Sequence, residues 1–172
     1  MRPALDDPAT VATLAAYRGG ALRWLLGGGV AVVVAVVAGM AAIAIARDTG
    51  EPVPFVGLGV VALLLGAPVA LAAGGGSLLR ARRWSAALAH TPWQPGVLRT
   101  GGAAVLSFEP AGSDEPEPVP LRLQSTTSWR VREVQRLDGA EVTAAPVGGG
   151  EWVFTADGLG TLIGARELRR RR

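Results

Sequence analysis

The chain contains no cysteine, so disulfides, thiol nucleophiles and Cys-based metal sites are excluded. It also has no lysine and no asparagine; all 17 basic residues are Arg. Lys and Asn codons are A-rich, so this absence points to a GC-rich genome and says nothing of mechanism. Histidine occurs once, as His90, and aromatics make up only 5% of the 172 residues. Two long stretches, 24–46 and 53–79, hold no Asp, Glu, Lys, Arg, His, Asn or Gln at all. Ionisable groups inside a membrane usually mark ion and proton pathways, so their absence argues against a transporter, proton relay or selective channel in this chain alone.

What is present is apolar. The chain is 49% hydrophobic, too much for an ordinary soluble domain of this size. The 23 residues from Trp24 to Ala46, as a helix, are roughly 35 Å long, enough to cross a hydrocarbon core of about 30 Å. The second run, 53–79, carries Pro68 inside it, which predicts a kink, and Gly74, Gly75 and Gly76 predict its end. The short link from Arg47 to Pro52 leaves a hairpin as the only easy topology. Arg18 and Arg23 precede the first span, and Arg80, Arg82 and Arg83 follow the second. The link has Arg47 with Asp48 and Glu51, so positive-inside counting puts both termini in the cytoplasm of a multi-pass protein of the cell (plasma) membrane. Arg23, Trp24, Arg80, Arg82, Arg83 and Trp84 are the expected anchors at the inner interface, with Phe55 at the outer one. Ala44-Ile45-Ala46 has the form of a signal-peptidase site, but the apolar run and its leader are both too long for a signal peptide, and an uncleaved span is expected.

Small residues recur at every fourth position: Gly27, Ala31, Ala35 and Gly39, then Ala62, Gly66, Ala70 and Gly74. Such strips let helices approach closely, within a tight hairpin or across a homo-oligomer, although an Ala- and Gly-rich composition produces them unaided.

The expected organisation is a cytoplasmic N-terminal segment (1–23), a two-helix transmembrane hairpin (24–79), a juxtamembrane helix (77–91), a soluble β-domain (92–168) and a polybasic tail (169–172). The juxtamembrane helix either continues the second span or breaks from it, and its arginines meet anionic headgroups. It ends at Thr91-Pro92. In the soluble part, Ala104, Leu106 and Phe108 alternate with polar or outward positions, as do Val119, Leu121 and Leu123. Residues 130–137 and 140–147 flank Asp138-Gly139, which predicts a hairpin. Residues 151–156 form a further strand, and Asp157-Gly158 turns into another at 161–163. Five or six short strands favour a small all-β fold, barrel or sandwich-like, with an OB-like barrel among the options. Trp129, Trp152 and Phe154 are the core candidates, and 110–118 reads as an acidic, proline-rich loop. Residues 84–168 hold six Arg against ten acids, a balance of −4, so the basic character sits at the two ends of that body.

Catalytic chemistry finds little footing. His90 ends a helix, where facing the dipole or solvent suffices to explain it. No Ser lies in a G-x-S-x-G elbow. Asp114, Glu115 and Glu117 lack EF-hand spacing. Gly27-Gly28-Gly29 has no preceding strand, which a dinucleotide turn requires. Ser125-Thr126-Thr127-Ser128 reads as a polar strand edge or turn, with phosphorylation as the sharper alternative. Arg169–Arg172 read as a solubilising tail or as a dock for anionic lipid; nucleic acid is not expected, because no aromatic is interleaved with these arginines.

The stretch Leu88-Ala89-His90-Thr91-Pro92-Trp93, after a two-span hairpin and before a small β-rich domain, resembles uncharacterised actinomycete two-span membrane proteins with a small cytoplasmic β-rich domain. The architecture also resembles NfeD-type proteins, in which membrane helices lead into an OB-like barrel. Neither resemblance supplies a catalytic residue, cofactor or metal. The expected function is therefore a non-enzymatic, membrane-anchored interaction module, whose partners are the lipid bilayer and an unidentified protein. The alternative is an accessory subunit of a membrane enzyme or transporter.

Overall fold

The computed structural model describes residues 2–51, 54–102, 104–112, 117–125, 128–156 and 159–168. A short 3-10 turn, Ala4–Asp6, leads into helix α1, Pro8–Thr49, and then helix α2, Val56–Leu88. Two compact units result: residues 16–81 form one, and residues 1–15 together with 82–172 form the other.

In the helical unit, six of the eight residues from Val30 to Val37 are Val. β-branched residues are weak helix formers in water, but where no water competes the backbone has only its own hydrogen bonds to make. Helix α1 stops where Gly50 turns left-handed (φ 76°) and its N–H returns to the Ala46 carbonyl at 3.0 Å. Helix α2 runs through Pro68 and through Gly74–Gly76 without a break. The expected stop at these glycines is thus corrected: the second span and the juxtamembrane helix are one element. Likewise α1 begins sixteen residues before Trp24, so most of the segment expected to precede the span is already helical.

The seam between α1 and α2 repeats every seven residues. Ala21, Gly28 and Ala35 are buried on one helix, and Ala67, Gly74 and Ala81 on the other. Leu25, Val32 and Gly39, and Leu63, Ala70 and Ser77, fall between them and are partly buried. Alternating steps of three and four are the signature of helices coiling around one another. Backbones meet at the glycines. A Cβ on Gly28 would lie 3.2 Å from the Ala67 carbonyl oxygen, and one on Gly74 would lie 2.9 Å from that of Ala21. The four-residue rows read from the sequence divide between this seam and the outer faces. Ala35 and Gly74 sit in the seam and Ala31, Gly39 and Ala70 border it, but Gly27, Ala62 and Gly66 are exposed. A step of four residues drifts about 40° around a helix, so a straight row of four cannot keep facing one neighbour. The outer faces are strongly apolar: Leu26, Val30, Leu58, Leu65 and Val69 are each more than 60% exposed. Both helices are long and apolar enough to cross a membrane, with only 6% of the most apolar stretch of each buried.

The other unit is built on a closed six-stranded antiparallel barrel. Its strands are β1 (Gln94–Thr100), β2 (Val105–Pro110), β3 (Val119–Leu123), β4 (Glu141–Gly148), β5 (Glu151–Thr155) and β6 (Ile163–Glu167). Two three-stranded meanders, β1–β3 and β4–β6, join through β3 with β6 and β1 with β4. An OB barrel has five strands, one fewer. Closure leaves no sheet edge unpaired. The interior is filled by Leu98, Leu106, Phe108, Leu121, Phe154 and Ile163, among others. Trp152 is partly buried, its ring 5.8 Å from that of Phe108. The Trp129 side chain lies outside the described residues.

Residues 130–137, expected as a strand, instead complete helix α3 (Ser128–Gln135) and enter the turn after it. Val131, Val134 and Leu137 recur every third residue and pack on the core, while Arg132, Glu133, Gln135 and Arg136 fall between them. That is a helical face, which the strong turn signal at Asp138-Gly139 masked. The turn itself is real but joins α3 to β4. The Asp138 carboxylate accepts the Thr100 N–H at 2.8 Å, and the N–H of left-handed Gly139 reaches the Leu98 carbonyl at 2.8 Å. Strand β6 also begins two residues later than expected. Asp157-Gly158 lies outside the described residues.

Candidate functional site

The N-terminal residues and the barrel together build a hollow in their unit. Asp7 caps α1: its carboxylate accepts the backbone N–H of Ala9 at 3.1 Å and of Thr10 at 3.2 Å, and the Thr10 hydroxyl at 2.8 Å. Pro8 follows at the first helical position, where its missing N–H costs nothing. The Thr10 hydroxyl, and behind it the backbone N–H of Ala9 and of Thr10, lower the Asp7 carboxyl below its ordinary value. Thr10 in turn receives the Trp93 indole N–H at 3.1 Å, and the Ala4 N–H bonds to the Thr91 carbonyl at 2.9 Å. Ala4, Thr10 and Leu14 are buried. The chain's first turns are thereby stitched to the segment leading into β1.

Beside this stitch lies a cleft of about 450 Å³, lined by Asp7, Thr13, Trp93, Glu141, Thr143 and Thr155 among others. Two carboxylates and an indole face the same space, and among the described residues no Arg lines it. A second hollow of about 420 Å³ shares Asp7 and Trp93 and adds Arg2 and Asp6. Negative charge beside an aromatic face suits a guanidinium or ammonium group. The sequence reading missed this site. Asp7-Pro8, a cap followed by Pro at the first helical position, was the signal that marks a helix start there.

Trp84, expected at a membrane interface, is buried instead at 1% exposure. Its indole N–H donates to Glu151 Oε1 at 3.0 Å, and Gln124 Nε2 donates to the same oxygen at 2.8 Å. The ring lies against Gly164, where a Cβ would come within 2.7 Å of it. Gly164, Val153 and Ala145 are register neighbours across β6, β5 and β4, buried yet outside the interior cluster. Small side chains on the barrel's outer surface therefore make a seat for Trp84.

The other anchor residues stay outside. Arg23, Arg80, Arg82 and Arg83 are exposed, as is Arg18, and Trp24 is 61% exposed. Arg99 pairs with Glu109 at 3.2 Å, and among the described residues none of these arginines pairs with a carboxylate. Neither α1 up to Arg47 nor α2 contains an acid.

His90 is exposed just beyond α2. Among the described residues no three His, Asp or Glu side chains gather to hold a metal. Asp114, Glu115, Thr126, Thr127 and Arg169–Arg172 lie outside the described residues. No protein-family profile, curated protein or solved structure matches the chain.

Proposed function

We propose that the chain is an integral membrane protein with both termini in the cytoplasm, and that its barrel unit works by binding a protein partner without catalysing a reaction. The observation that carries this reading is the apolar exterior of the hairpin, whose large side chains face outward and stay exposed among the described residues. Lipid is the solvent such a surface needs. The arginines at the hairpin's open end support the orientation, as does the membership of residues 1–15 and 82–172 in one compact unit. Two flanks that pack together must emerge on the same side. The cleft beside Trp93 supports the choice of partner. With two carboxylates in the cleft and a balance of −4 over residues 84–168, the barrel favours a basic segment of another protein.

Alkaline washing of membranes should leave the chain in the pellet; release to the supernatant overturns the membrane reading. Because the chain is free of Cys, single thiols report topology directly. Thr49→Cys should react with an impermeant thiol reagent on intact cells and Arg136→Cys only after lysis; the reverse pattern overturns the orientation. Crosslinking of the full-length protein should capture a partner that Glu141→Arg loses. Equal capture by that variant removes the cleft from the proposal, and a stoichiometric enzyme or transporter as the captured chain makes this protein its accessory subunit.

A further inference from the structure

We infer that the hairpin holds one anionic phospholipid, its phosphate on Arg23 and part of one acyl chain in a groove between the helices. The inference rests on the membrane reading above. The groove has a volume of about 260 Å³ and is lined by Arg23, Trp24, Gly27, Gly28 and Ala70. That is below the roughly 300–1,000 Å³ of pockets that enclose a whole small ligand, so it suits a segment of a chain.

The neighbouring glycines divide the work. Gly28 is buried, and its missing side chain lets α1 approach the Ala67 carbonyl. Gly27 is exposed, and a Cβ there would meet nothing within 4 Å. Helix packing therefore does not require glycine at position 27; an open groove does. Arg23 and Gly27 lie one turn apart on the same face of α1, as do Trp24 and Gly28. Helical side chains lean toward the N-terminus, so the Arg23 guanidinium rises away from the apolar run that begins at Trp24, toward headgroup level. Trp24, mostly exposed, forms the wall at the depth where indoles gather.

Charge selects the occupant. Neither α1 up to Arg47 nor α2 contains an acid to answer Arg23, and the Arg99–Glu109 ion pair lies elsewhere. The planar fork of Arg23 matches two phosphate oxygens, and a net negative headgroup compensates the charge that the described residues leave open.

The test uses full-length protein in mild detergent, incubated with phosphatidylglycerol or phosphatidylcholine and read by native mass spectrometry. One phosphatidylglycerol should be retained in preference to phosphatidylcholine. Arg23→Gln should reduce that preference by about fivefold, the worth of one arginine near an anionic surface. Gly27→Leu, which fills the groove, should reduce retention of both lipids, whereas Gly29→Leu, outside the lining and also in open space, should not. Trp24→Ala removes the wall without adding bulk and should act like Gly27→Leu, which keeps the result readable if the leucine variant fails to accumulate. Wild-type retention in Gly27→Leu or Trp24→Ala, or an unchanged lipid preference in Arg23→Gln, overturns the site. Alkaline washing of the same membranes reads the membrane assignment separately, so loss of the groove and loss of the anchor are told apart.

Discussion

Asp7 accepts three hydrogen bonds from the first turn of α1, and all three favour its ionised form. Asp7→Ala should therefore lower the stability of the barrel unit by about 1 kcal/mol in denaturant titrations at neutral pH, the usual worth of a helix cap. Because its folded pKa lies below the unfolded value, this contribution is complete above the ordinary carboxylate pKa and disappears as the pH falls through the folded one. The gap between wild type and variant should close in acid. Asp138, bonded to Thr100, shifts in the same direction and adds to acid sensitivity. Two glycines carry a different load. Gly96 faces the core of the barrel, where any Cβ would collide with the Phe108 ring and the Glu109 carbonyl oxygen. Gly164 makes room for Trp84. Gly96→Ala and Gly164→Ala should each cost about 1–3 kcal/mol by thermal unfolding. The cost of Gly164→Ala should shrink in a Trp84→Phe background, because a smaller ring needs less of the same space.

Elements were legible where side chains announce a period, and hidden where a neighbour's side chain fills the position. Strands β2 and β3 were readable because Leu106 with Phe108, and Leu121 with Leu123, point inward in strict alternation. Strand β1 was not, because one of its inward positions is Gly96, whose place is taken by Phe108. Helix α3 was lost to a turn signal that is locally correct but joins a helix to a strand. The two long helices were evident from the absence of charge, yet their seam was not, since so many small residues make every strip look usable. The seven-residue repeat decides among them. Gly74→Val should lower the denaturation midpoint of the hairpin in detergent and Gly66→Val should leave it unchanged, since only the former meets backbone. Equal effects of the two would refute the seam. The candidate cleft escaped the sequence altogether, because its acids, Asp7 and Glu141, lie far apart along the chain and meet only after the first turns dock beside β1 and β4.

At the scale of the whole molecule, one compact unit is made from both ends of the chain, with the helical hairpin inserted between its parts. Removing residues 2–7 should lower the melting temperature of the barrel, although none of them belongs to a strand, because it strips the Asp7 cap and the Ala4–Thr91 bond. An unchanged melting temperature would show that the first turns are passengers. The split has a consequence for biosynthesis. The opening residues leave the ribosome first yet can settle only on segments made after both spans are finished. A chain threaded through the bilayer once rather than twice would strand its beginning on the wrong side, and Trp93 would find no threonine to meet. On the proposed membrane reading, only a chain that crosses the bilayer twice can bring residues 1–15 onto the barrel and complete this unit.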